Sequence, residues 1–401
     1  MRRRLNRKPK ILFLYTTNAG VGYYRMHVFK EAMNRNKYAS AVMPWYNFKD
    51  FDTVQWQFHC APGPRGDWTL YHSRGELAHL VSQADIVVVE YLHSLGSLCL
   101  IEALKAYFKD KVFLTEIDDD IFNTPVYNDA FSQFRPGEDI RGIITEQLQA
   151  LDGVIVTTPA LKDVYSEVND HVYVVPNCLD FELWDQVENR KTKDVRIGWF
   201  GGGNHVEDLA LIEKPIKEFL ENHDNVSFYV AGGVPNFFKN CSKIHAKELF
   251  EPVNKYPKKV AKLGFSIGIA PLVDNSFNRG KSNLRKLEYA GLKIPVVASN
   301  VGEFARTVKH GKDGFLFSNP EDFKKALHVL CVNKKLRESM GNYNYLDVKK
   351  NFNVDKIAEN YTEILVEAWE RGQTTKIDVS HQAERRGISK WTAGQPGLLS
   401  A

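Results

Sequence analysis

The segment with the clearest chemical potential runs from Ala270 to Gly291. Its pattern predicts a strand, a polar loop and a helix, with Ser282 as the N-cap. Free N–H groups at such a helix start, with Lys281 and Asn283 beside them, are suited to bind a diphosphate. Glu288 follows nearly two turns later, where its carboxylate can accept hydrogen bonds from vicinal ribose hydroxyls. The segment therefore predicts a nucleotide site, although these charges can also be ordinary features of an exposed helix.

Glycine turns follow two of the expected strands. Gly20 and Gly22 come after the first apolar strand, and Gly202 comes after a later one. Bare backbone of this kind can approach a phosphate or a sugar closely, or it can form a tight turn without a ligand. A dinucleotide cofactor is disfavoured, because Arg25 stands where the third glycine of the fingerprint would fall and no acid ends the second strand region.

Three consecutive acids, Asp118, Asp119 and Asp120, follow another strand. They can orient acceptor hydroxyls, act as a base, cap a turn or hold a divalent metal, and the metal is the least favoured of these roles. Adjacent side chains point in different directions, so at most one or two of them reach a cleft. We expect Asp118 and Asp120 to be catalytic.

Histidines supply a third catalytic candidate. His205 follows a glycine turn at the expected cleft, and Asn204 beside it is a candidate donor contact. His27 and His93 are alternatives with weaker support, because a single histidine is more often an ordinary surface or partly buried residue.

Strands alternate with helical patterns along most of the chain, and the alternation restarts after a polar stretch. This pattern predicts βαβ units and parallel sheets. We therefore expect an α/β protein with two doubly wound Rossmann-like domains that face an interdomain cleft. The predicted segments are a basic arm at 1–9, a first domain at 10–184, a linker at 185–194, a second domain at 195–354, an amphipathic helix at 355–372 and a tail at 373–401.

The amino-acid composition limits the classes of protein to which the chain can belong. The chain has 401 residues, of which 43% are hydrophobic and 25% are charged, and this matches globular proteins. We expect no membrane span and no signal peptide, because no apolar run approaches the roughly 20 residues that a membrane helix needs. The scattered cysteines predict neither a zinc site nor a disulfide framework, and the simplest location is the cytoplasm. They are Cys60, Cys99, Cys178, Cys241 and Cys331.

The net charge of +4 is unevenly distributed. The first ten residues contain six Lys or Arg and no acid, so the remaining 47 basic and 49 acidic residues give a net charge of −2. A basic arm can bind nucleic acid or an anionic lipid surface, but it is often a solvated terminus. A peripheral position at a membrane surface therefore stays open.

The stretch 277–299, followed by 310–317, resembles the donor-binding region of GT-B fold glycosyltransferases. Within that fold it is most similar to the retaining family 4 group, and phage sequences often look like this variant. Residues 175–180 match the Pro-Asn segment that precedes the interdomain linker in that group. The resemblance covers roughly residues 10–370.

The resemblance implies an enzyme that moves a sugar from a nucleotide-diphosphate sugar to an acceptor hydroxyl with retention, and that needs no cofactor beyond this co-substrate. Glu288 would bind the donor ribose, Lys281 would meet the diphosphate or the sugar, and the final helix with Trp369 would return to the first domain. The predicted donor contacts are Gly20, Gly22, Gly202, Asn204, Lys281, Ser282, Asn283 and Glu288.

Two departures from the family pattern stand out. The first acid of its Glu-x7-Glu motif would fall at Gly280, and its Arg and Lys after the first strand of the second domain are replaced by residues 201–205. Asn204 and His205 are plausible substitutes, with Lys281 as the missing cation.

Alternatives of other classes stay open. They are a nucleotide-sugar 2-epimerase or phosphorylase-like enzyme of the same fold, and a non-catalytic relic that binds sugar or nucleic acid. No lysine motif for pyridoxal phosphate is apparent, which disfavours the phosphorylase. The sequence indicates neither an oligomeric state nor the acceptor, for which a glycan, a lipid-linked glycan and modified DNA are all compatible with the basic arm.

Overall fold

The computed structural model describes residues 7–15, 20–43, 58–62, 68–72, 76–91, 95–239, 241–247, 249 and 255–374. Most of these residues belong to two parallel six-stranded sheets with interleaved helices. The predicted α/β fold with two doubly wound domains is therefore confirmed. Apolar side chains pack on both faces of each sheet, as covered parallel sheets require.

The first sheet is formed by β1 (Lys10–Leu14), β2 (Ser40–Val42), β5 (Ile86–Glu90), β6 (Val112–Ile117), β7 (Gly153–Val156) and β8 (Val172–Val174). Its strand order is β2-β1-β5-β6-β7-β8, and all neighbouring strands are parallel. A separate antiparallel pair, β3 (Phe58–Pro62) and β4 (Trp68–His72), was not foreseen from the sequence.

Helices connect these strands as βαβ units require. They are α1 (Gly20–Gly22), a π-helical segment (Tyr23–His27), α2 (Val28–Arg35), α3 (Glu76–Gln83), α4 (Leu95–Tyr107), a 3₁₀ turn (Ile121–Asn123), α5 (Phe131–Phe134), α6 (Asp139–Ala150), α7 (Pro159–Tyr165) and α8 (Phe181–Trp184).

The second sheet is formed by β9 (Val195–Gly201), β10 (Val226–Gly232), β11 (Ile244–Lys247), β12 (Ile267–Ala270), β13 (Val296–Ser299) and β14 (Gly314–Phe317). Its order is β11-β10-β9-β12-β13-β14, with parallel pairing throughout. The order reverses between β9 and β12, and ligands of such sheets bind at the carboxyl ends of the strands that flank this point.

Helices and 3₁₀ turns also separate the strands of the second sheet. They are a 3₁₀ turn (Gly203–His205), α9 (Val206–Ala210), α10 (Glu213–Glu221), a 3₁₀ turn (Asn236–Phe238), α11 (Tyr256–Leu263), α12 (Ser276–Gly280), α13 (Leu284–Gly291), α14 (Gly302–Thr307), α15 (Pro320–Val332) and α16 (Lys334–Asn351).

The last helix, α17 (Val354–Thr374), packs on the first sheet. Its Tyr361 ring contacts Phe13 and Phe29 at centroid distances of 6.2 and 5.0 Å. The stripe of Ile357, Tyr361, Leu365 and Ala368 is buried in that core, and Ile364 packs against it. The helix runs two residues into the segment predicted to be a tail, because Gln373 and Thr374 still belong to it. Residues 375–401 lie outside the described residues.

The basic arm and the linker were both predicted as segments outside the two domains. Arg7, within the predicted basic arm, forms a bidentate ion pair with Asp85 at 2.6 and 2.7 Å and lies over the Trp369 ring. This end of the arm is therefore attached to the first domain, while residues 1–6 lie outside the described residues. The predicted linker at 185–194 contains no helix or strand and joins α8 to β9.

The described residues include no helix that is both long and apolar enough to cross a membrane. They also include no group of three or more His, Cys, Asp or Glu side chains arranged to hold a metal ion. Cys178, Cys241 and Cys331 have free thiols.

Candidate functional site

The segment between β12 and the end of α13 meets the first domain through polar contacts. These contacts are Asn275 with Tyr127, Gly280 with Thr158, Lys281 with Asp119, Ser282 with Asn177, and Glu288 with Tyr24. Three of the predicted donor residues, Lys281, Ser282 and Glu288, therefore lie at the interface between the domains.

Glu288 lies at the centre of this interface and is only 2% exposed. Its Oε1 accepts a hydrogen bond from the Tyr24 hydroxyl at 2.9 Å, and its Oε2 accepts one from Arg285 Nη1 at 2.7 Å. Burial raises the pKa of the Glu288 carboxyl, and the Arg285 charge opposes this rise. A ribose that bound here would have to share or replace these two donors.

Tyr24 reaches Glu288 from the helical segment that follows β1. Gly20 is exposed and Gly22 is buried in the turn α1 that opens this segment. The next five residues are π-helical, a local widening that often occurs at functional sites. Tyr24 packs in the apolar core of the second domain, whereas the neighbouring Arg25 is held by the first domain.

Arg25 is a buried cation whose partners connect the two domains. Its Nε and Nη2 donate to Glu116 Oε2 at 3.1 and 2.9 Å, and its Nη1 donates to Asn177 Oδ1 at 2.9 Å. The Tyr361 hydroxyl donates to the other oxygen of Glu116 at 2.8 Å. Asn177 in turn donates to Ser282 Oγ at 2.8 Å. Arg25, which stands where the third glycine of the dinucleotide fingerprint would fall, therefore lies at the centre of a hydrogen-bond network.

The prediction that Ser282 caps α13 is wrong. The N-cap is Asn283, which makes no side-chain cap bond and whose Nδ2 instead donates to Thr307 Oγ1 at 3.3 Å. Ser282 faces the other domain, because its hydroxyl accepts the hydrogen bond from Asn177. The first turn of α13 therefore has no side-chain cap, which leaves its N–H groups suited to an anion.

Lys281 and two of the three consecutive acids face each other across the interface. Lys281 Nζ lies 2.9 Å from Asp119 Oδ1 and 4.4 Å from the centre of the Phe277 ring. Asp118 is partly exposed beside this pair. Burial, followed by the negative charge of Asp119, raises the pKa of Asp118 to about 7. A carboxyl with such a pKa can exchange a proton near neutral pH.

Asp120, the other predicted catalytic acid, caps the 3₁₀ turn that follows β6. It is 1% exposed, and its oxygens accept from the backbone N–H of Asn123 at 3.2 Å and from Asn123 Nδ2 at 2.8 Å. Both carboxylate oxygens are engaged within the first domain. The geometry favours the capping alternative for Asp120 and leaves Asp118 and Asp119 as the acids at the interface.

His205 lies at the carboxyl end of β9 and is oriented by a buried acid. Its Nδ1 is 2.8 Å from Asp208 Oδ2. Asp208 Oδ1 also accepts from the Val273 backbone N–H and from Asn278 Nδ2, both at 2.8 Å, so it ties the loop after β9 to the loop after β12. A carboxylate on Nδ1 fixes the imidazole orientation and favours Nε2 as the reactive nitrogen.

The other predicted residues near His205, Gly202 and Asn204, are exposed in the same loop. Of the alternative histidines, His27 stacks on Tyr23 with ring centroids 5.4 Å apart, and burial lowers the pKa of its imidazole. His93 lies outside the described residues.

Gly280 occupies the position where the resembled family has its first acid. Its carbonyl oxygen accepts a hydrogen bond from Thr158 Oγ1 at 2.9 Å. A Cβ at this position would lie 2.8 Å from Leu161 Cδ2, so any side chain here would require Leu161 to shift. The two domains therefore pack closely at the position where the resembled family has its first acid.

Sequence reasoning missed three residues of this site: Tyr24, Asp208 and Arg285. Arg285 lies within the segment singled out above and could have been found as a second cation one turn before Glu288. Tyr24 and Asp208 offered no comparable signal, because their importance depends on partners 264 and 70 positions away along the chain.

One segment of the second domain is similar to a known protein family. Residues 284–347, which begin at α13, match the family model described as "Glycosyl transferases group 1". Over 74 residues, or 18% of the chain, the sequence is 27% identical to spore coat protein SA of Bacillus subtilis strain 168. That match covers 20% of the relative, so the chain spans about a fifth of the curated protein that it matches.

Solved structures resemble a much larger part of the chain. Sucrose-phosphate synthase from Thermosynechococcus elongatus matches 91% of this chain over 100% of its own, with a TM-score of 0.59 and 14% identity. HepE from Anabaena, solved with UDP-glucose, matches 90% over 100% of its own chain, with a TM-score of 0.58 and 13% identity. TarM from S. aureus, solved with UDP, matches 70% over 55% of its own chain, with a TM-score of 0.51 and 14% identity.

These likenesses extend over both sheets and establish the overall architecture. Residues 284–347 thus match the glycosyl transferases group 1 family model, and they lie within a two-domain α/β fold that the chain shares with these solved structures.

Proposed function

We propose that the protein is a glycosyltransferase that moves a sugar from a nucleotide-diphosphate sugar to an acceptor hydroxyl. The observation that carries the proposal is the position of Glu288, a buried carboxylate on α13 at the interface between two Rossmann-like domains. The helix lies inside the segment that matches the glycosyl transferases group 1 family. Structural neighbours solved with UDP or UDP-glucose support a nucleotide-sugar as the donor.

The donor is proposed to lie along α13. Glu288 accepts the ribose hydroxyls, and the uncapped first turn with Ser282 and Asn283 binds the diphosphate. Lys281 contributes positive charge near the sugar. The remaining proposed donor contacts are the backbone at Gly20, Gly22 and Gly202 and the Asn204 side chain.

The chemical step is proposed to proceed with retention, as in the family 4 group, of which this chain resembles a phage-type variant. The departing diphosphate then helps to remove the proton of the acceptor hydroxyl on the same face of the sugar. The protein stabilises the developing phosphate charge with the helix start and nearby cations. Asp118 orients the acceptor hydroxyl or accepts its proton, because its raised pKa suits proton exchange near pH 7. His205, held by Asp208, is the second proposed catalytic side chain.

A non-catalytic relic is the second candidate, and the close packing at Gly280 favours it. The first acid of the family motif is absent, and a Cβ at its position would lie 2.8 Å from Leu161 Cδ2. A relic would bind a nucleotide-sugar without turning it over. Turnover therefore separates the two candidates.

The test is a thermal-shift panel with UDP-, GDP-, ADP- and dTDP-sugars, followed by assay of the stabilising sugar for hydrolysis or transfer. We expect one nucleotide class to raise the melting temperature and its sugar to be released slowly without an acceptor. Glu288→Ala should abolish the stabilisation, whereas Glu321→Ala, which removes an exposed acid at the start of α15, should not. Binding without turnover would favour the relic, and interconversion of UDP-N-acetylglucosamine without an acceptor would favour an epimerase.

The chemical class of the acceptor can be tested by deleting part of the basic arm. Removing residues 1–6 leaves the Arg7–Asp85 ion pair intact and deletes three arginines. A gel shift with DNA that weakens with salt and is lost in this truncated protein would favour modified DNA. Binding to vesicles that contain anionic lipid, lost in the same truncation, would favour a lipid-linked acceptor.

A further inference from the structure

Arg285 lies in the middle of the site described above, but no role has been given to it. Its side chain is 19% exposed. Nη1 lies 2.7 Å from Glu288 Oε2 and 3.4 Å from the Tyr256 hydroxyl, and the guanidinium carbon lies 4.2 Å from the centre of the Phe200 ring. The guanidinium is therefore held between the end of β9 and the proposed ribose-binding carboxylate.

The guanidinium also fills space next to the glycine turn after β9. A Cβ at Gly201 would lie 3.1 Å from Arg285 Nη2 and 2.7 Å from the Trp199 ring. The turn itself, residues 201–204, contains three glycines and an asparagine and has no cation of its own. Arg285 thus brings a positive charge from α13 to the carboxyl end of β9, where ligands of this sheet type bind.

Other cations of the same segment have ionic partners other than the proposed ribose-binding carboxylate. Lys281 is paired with Asp119 of the first domain, and Lys286 is completely buried with Asp313. Arg279 is exposed and paired with Asp274. Arg285 differs from these because its ionic partner is Glu288, the residue proposed to bind the donor.

We propose that Arg285 binds the diphosphate of the donor, and that it exchanges partners when the donor enters. In the empty site Arg285 and Glu288 neutralise each other. The ribose hydroxyls then donate to Glu288, while the guanidinium turns to the phosphate oxygens. The assignment rests on the proposed function and adds to it a residue that supplies the charge missing from the loop after β9.

Physical chemistry favours this exchange. A buried cation and a buried carboxylate must both keep partners, and the donor offers hydroxyls to one and phosphate oxygens to the other. Guanidinium binds phosphate in a bidentate way that a single carboxylate oxygen does not match. The aromatic ring of Phe200 can support the planar guanidinium in both positions.

The experiment measures affinities for uridine, UMP and UDP by calorimetric titration with wild type and Arg285→Gln, after thermal shift has shown which base is preferred. If another base is preferred, its nucleoside, monophosphate and diphosphate replace the uridine series. We expect Arg285→Gln to weaken the nucleoside diphosphate by about ten- to hundredfold and to change the nucleoside less than about twofold. Diphosphate affinity of the wild type should also fall more steeply with salt than that of the variant.

Two further variants control for a general effect of lost charge and for a failure of Arg285→Gln to fold. Arg279→Gln removes the same charge from an exposed position, and it should bind the diphosphate like wild type. Arg285→Lys keeps a cation beside Glu288 if the glutamine variant does not fold, and it should lose part of the diphosphate affinity because it cannot form the bidentate contact.

The assignment is overturned if folded Arg285→Gln binds the diphosphate as wild type does, or loses nucleoside and diphosphate affinity equally. If Arg285→Gln does not fold, undiminished diphosphate affinity in Arg285→Lys overturns it. In either case the proposed function stands, because wild type still binds the nucleotide. If wild type binds none of UDP, GDP, ADP and dTDP, both the proposed function and the role of Arg285 fall.

Discussion

The Tyr24 hydroxyl donates a hydrogen bond to Glu288 Oε1 across 2.9 Å, and this bond joins the two domains. Tyr24 comes from the π-helical segment after β1, and Glu288 comes from α13. The same carboxylate is proposed to receive the donor ribose. If the ribose takes Oε1, contact between the domains and binding of the donor compete for this oxygen atom, and the relative strength of the two contacts then influences the donor affinity.

Removing the Tyr24 hydroxyl is expected to tighten donor binding. In Tyr24→Phe the ring still packs in the core, but Glu288 loses one hydrogen-bond donor in the empty site. The donor nucleotide should bind about two- to tenfold more tightly, which corresponds to about one hydrogen bond. Calorimetric titration checks this, with Tyr23→Phe as the neighbouring control. Weaker binding in Tyr24→Phe would mean that the tyrosine hydroxyl contacts the donor instead.

The pH dependence of activity is expected to follow Asp118. Its pKa is raised to about 7 by burial and by the charge of Asp119. If the carboxylate form accepts a proton from the acceptor, the rate should rise with pH through about 7 and then level off. Asp118→Asn should lower the rate and remove this rising limb. A rising limb that persists in the variant would assign it to another group.

The same raised pKa predicts how stability changes with pH. The Asp118 carboxyl titrates near 3.8 when unfolded and near 7 when folded, so the folded state binds more protons between these values. Its contribution to the free energy of unfolding should fall as pH rises from about 4 to about 7, by on the order of 1–3 kcal/mol. Melting temperatures of wild type and Asp118→Asn across this range test it. Parallel curves for the two proteins would contradict the prediction.

The buried Arg25–Glu116 pair is expected to be essential for stability. Both side chains are 1% exposed, so Arg25→Met leaves a buried carboxylate with Tyr361 as its remaining hydrogen-bond donor. The free energy of unfolding should fall by about 3–5 kcal/mol. The loss should be larger at pH 8 than at pH 5, because the unpaired Glu116 has a raised pKa and is driven to protonate.

Thermal melting followed by circular dichroism measures this loss. Arg279→Met, which removes an exposed guanidinium, is the matched control and should change stability little. Adding Glu116→Gln to Arg25→Met should recover part of the stability, since no buried charge is then left. An Arg25→Met protein as stable as the control at both pH values would contradict the role given to this pair.

Restoring the family's first acid is expected to strain the interface. In Gly280→Glu the new Cβ meets Leu161 Cδ2 at 2.8 Å, and the carboxylate enters a closed contact between the domains. We expect a loss of about 1–3 kcal/mol. Gly280→Ala adds the Cβ without the charge, so it measures the steric part of the lost stability. In the background of Leu161→Ala, the Gly280→Ala substitution should cost less stability than it does in wild type. Unchanged melting of Gly280→Glu would show that the domains separate readily.

Neighbours along the chain were enough to predict two parallel sheets and the helix that bears Glu288. The run Ile86–Glu90 is buried along its whole length, and such short apolar runs are typical of covered parallel strands. The position of Glu288 on α13 likewise follows from local features, because a strand, a loop and a helical pattern succeed one another within about twenty residues. These features depend on neighbours along the chain, which the sequence displays directly.

The hydrogen-bond partners of the site residues, in contrast, could be seen only in the folded chain. Ser282 had the type and place of an N-cap, but a closer approach by Asn177, 105 positions away, directs its hydroxyl to the other domain. Asp120 looked equivalent to Asp118, yet the turn after β6 engages both of its oxygens. A polar side chain with several possible partners takes those that packing brings within hydrogen-bond distance. That choice depends on how distant segments meet, which no local pattern encodes.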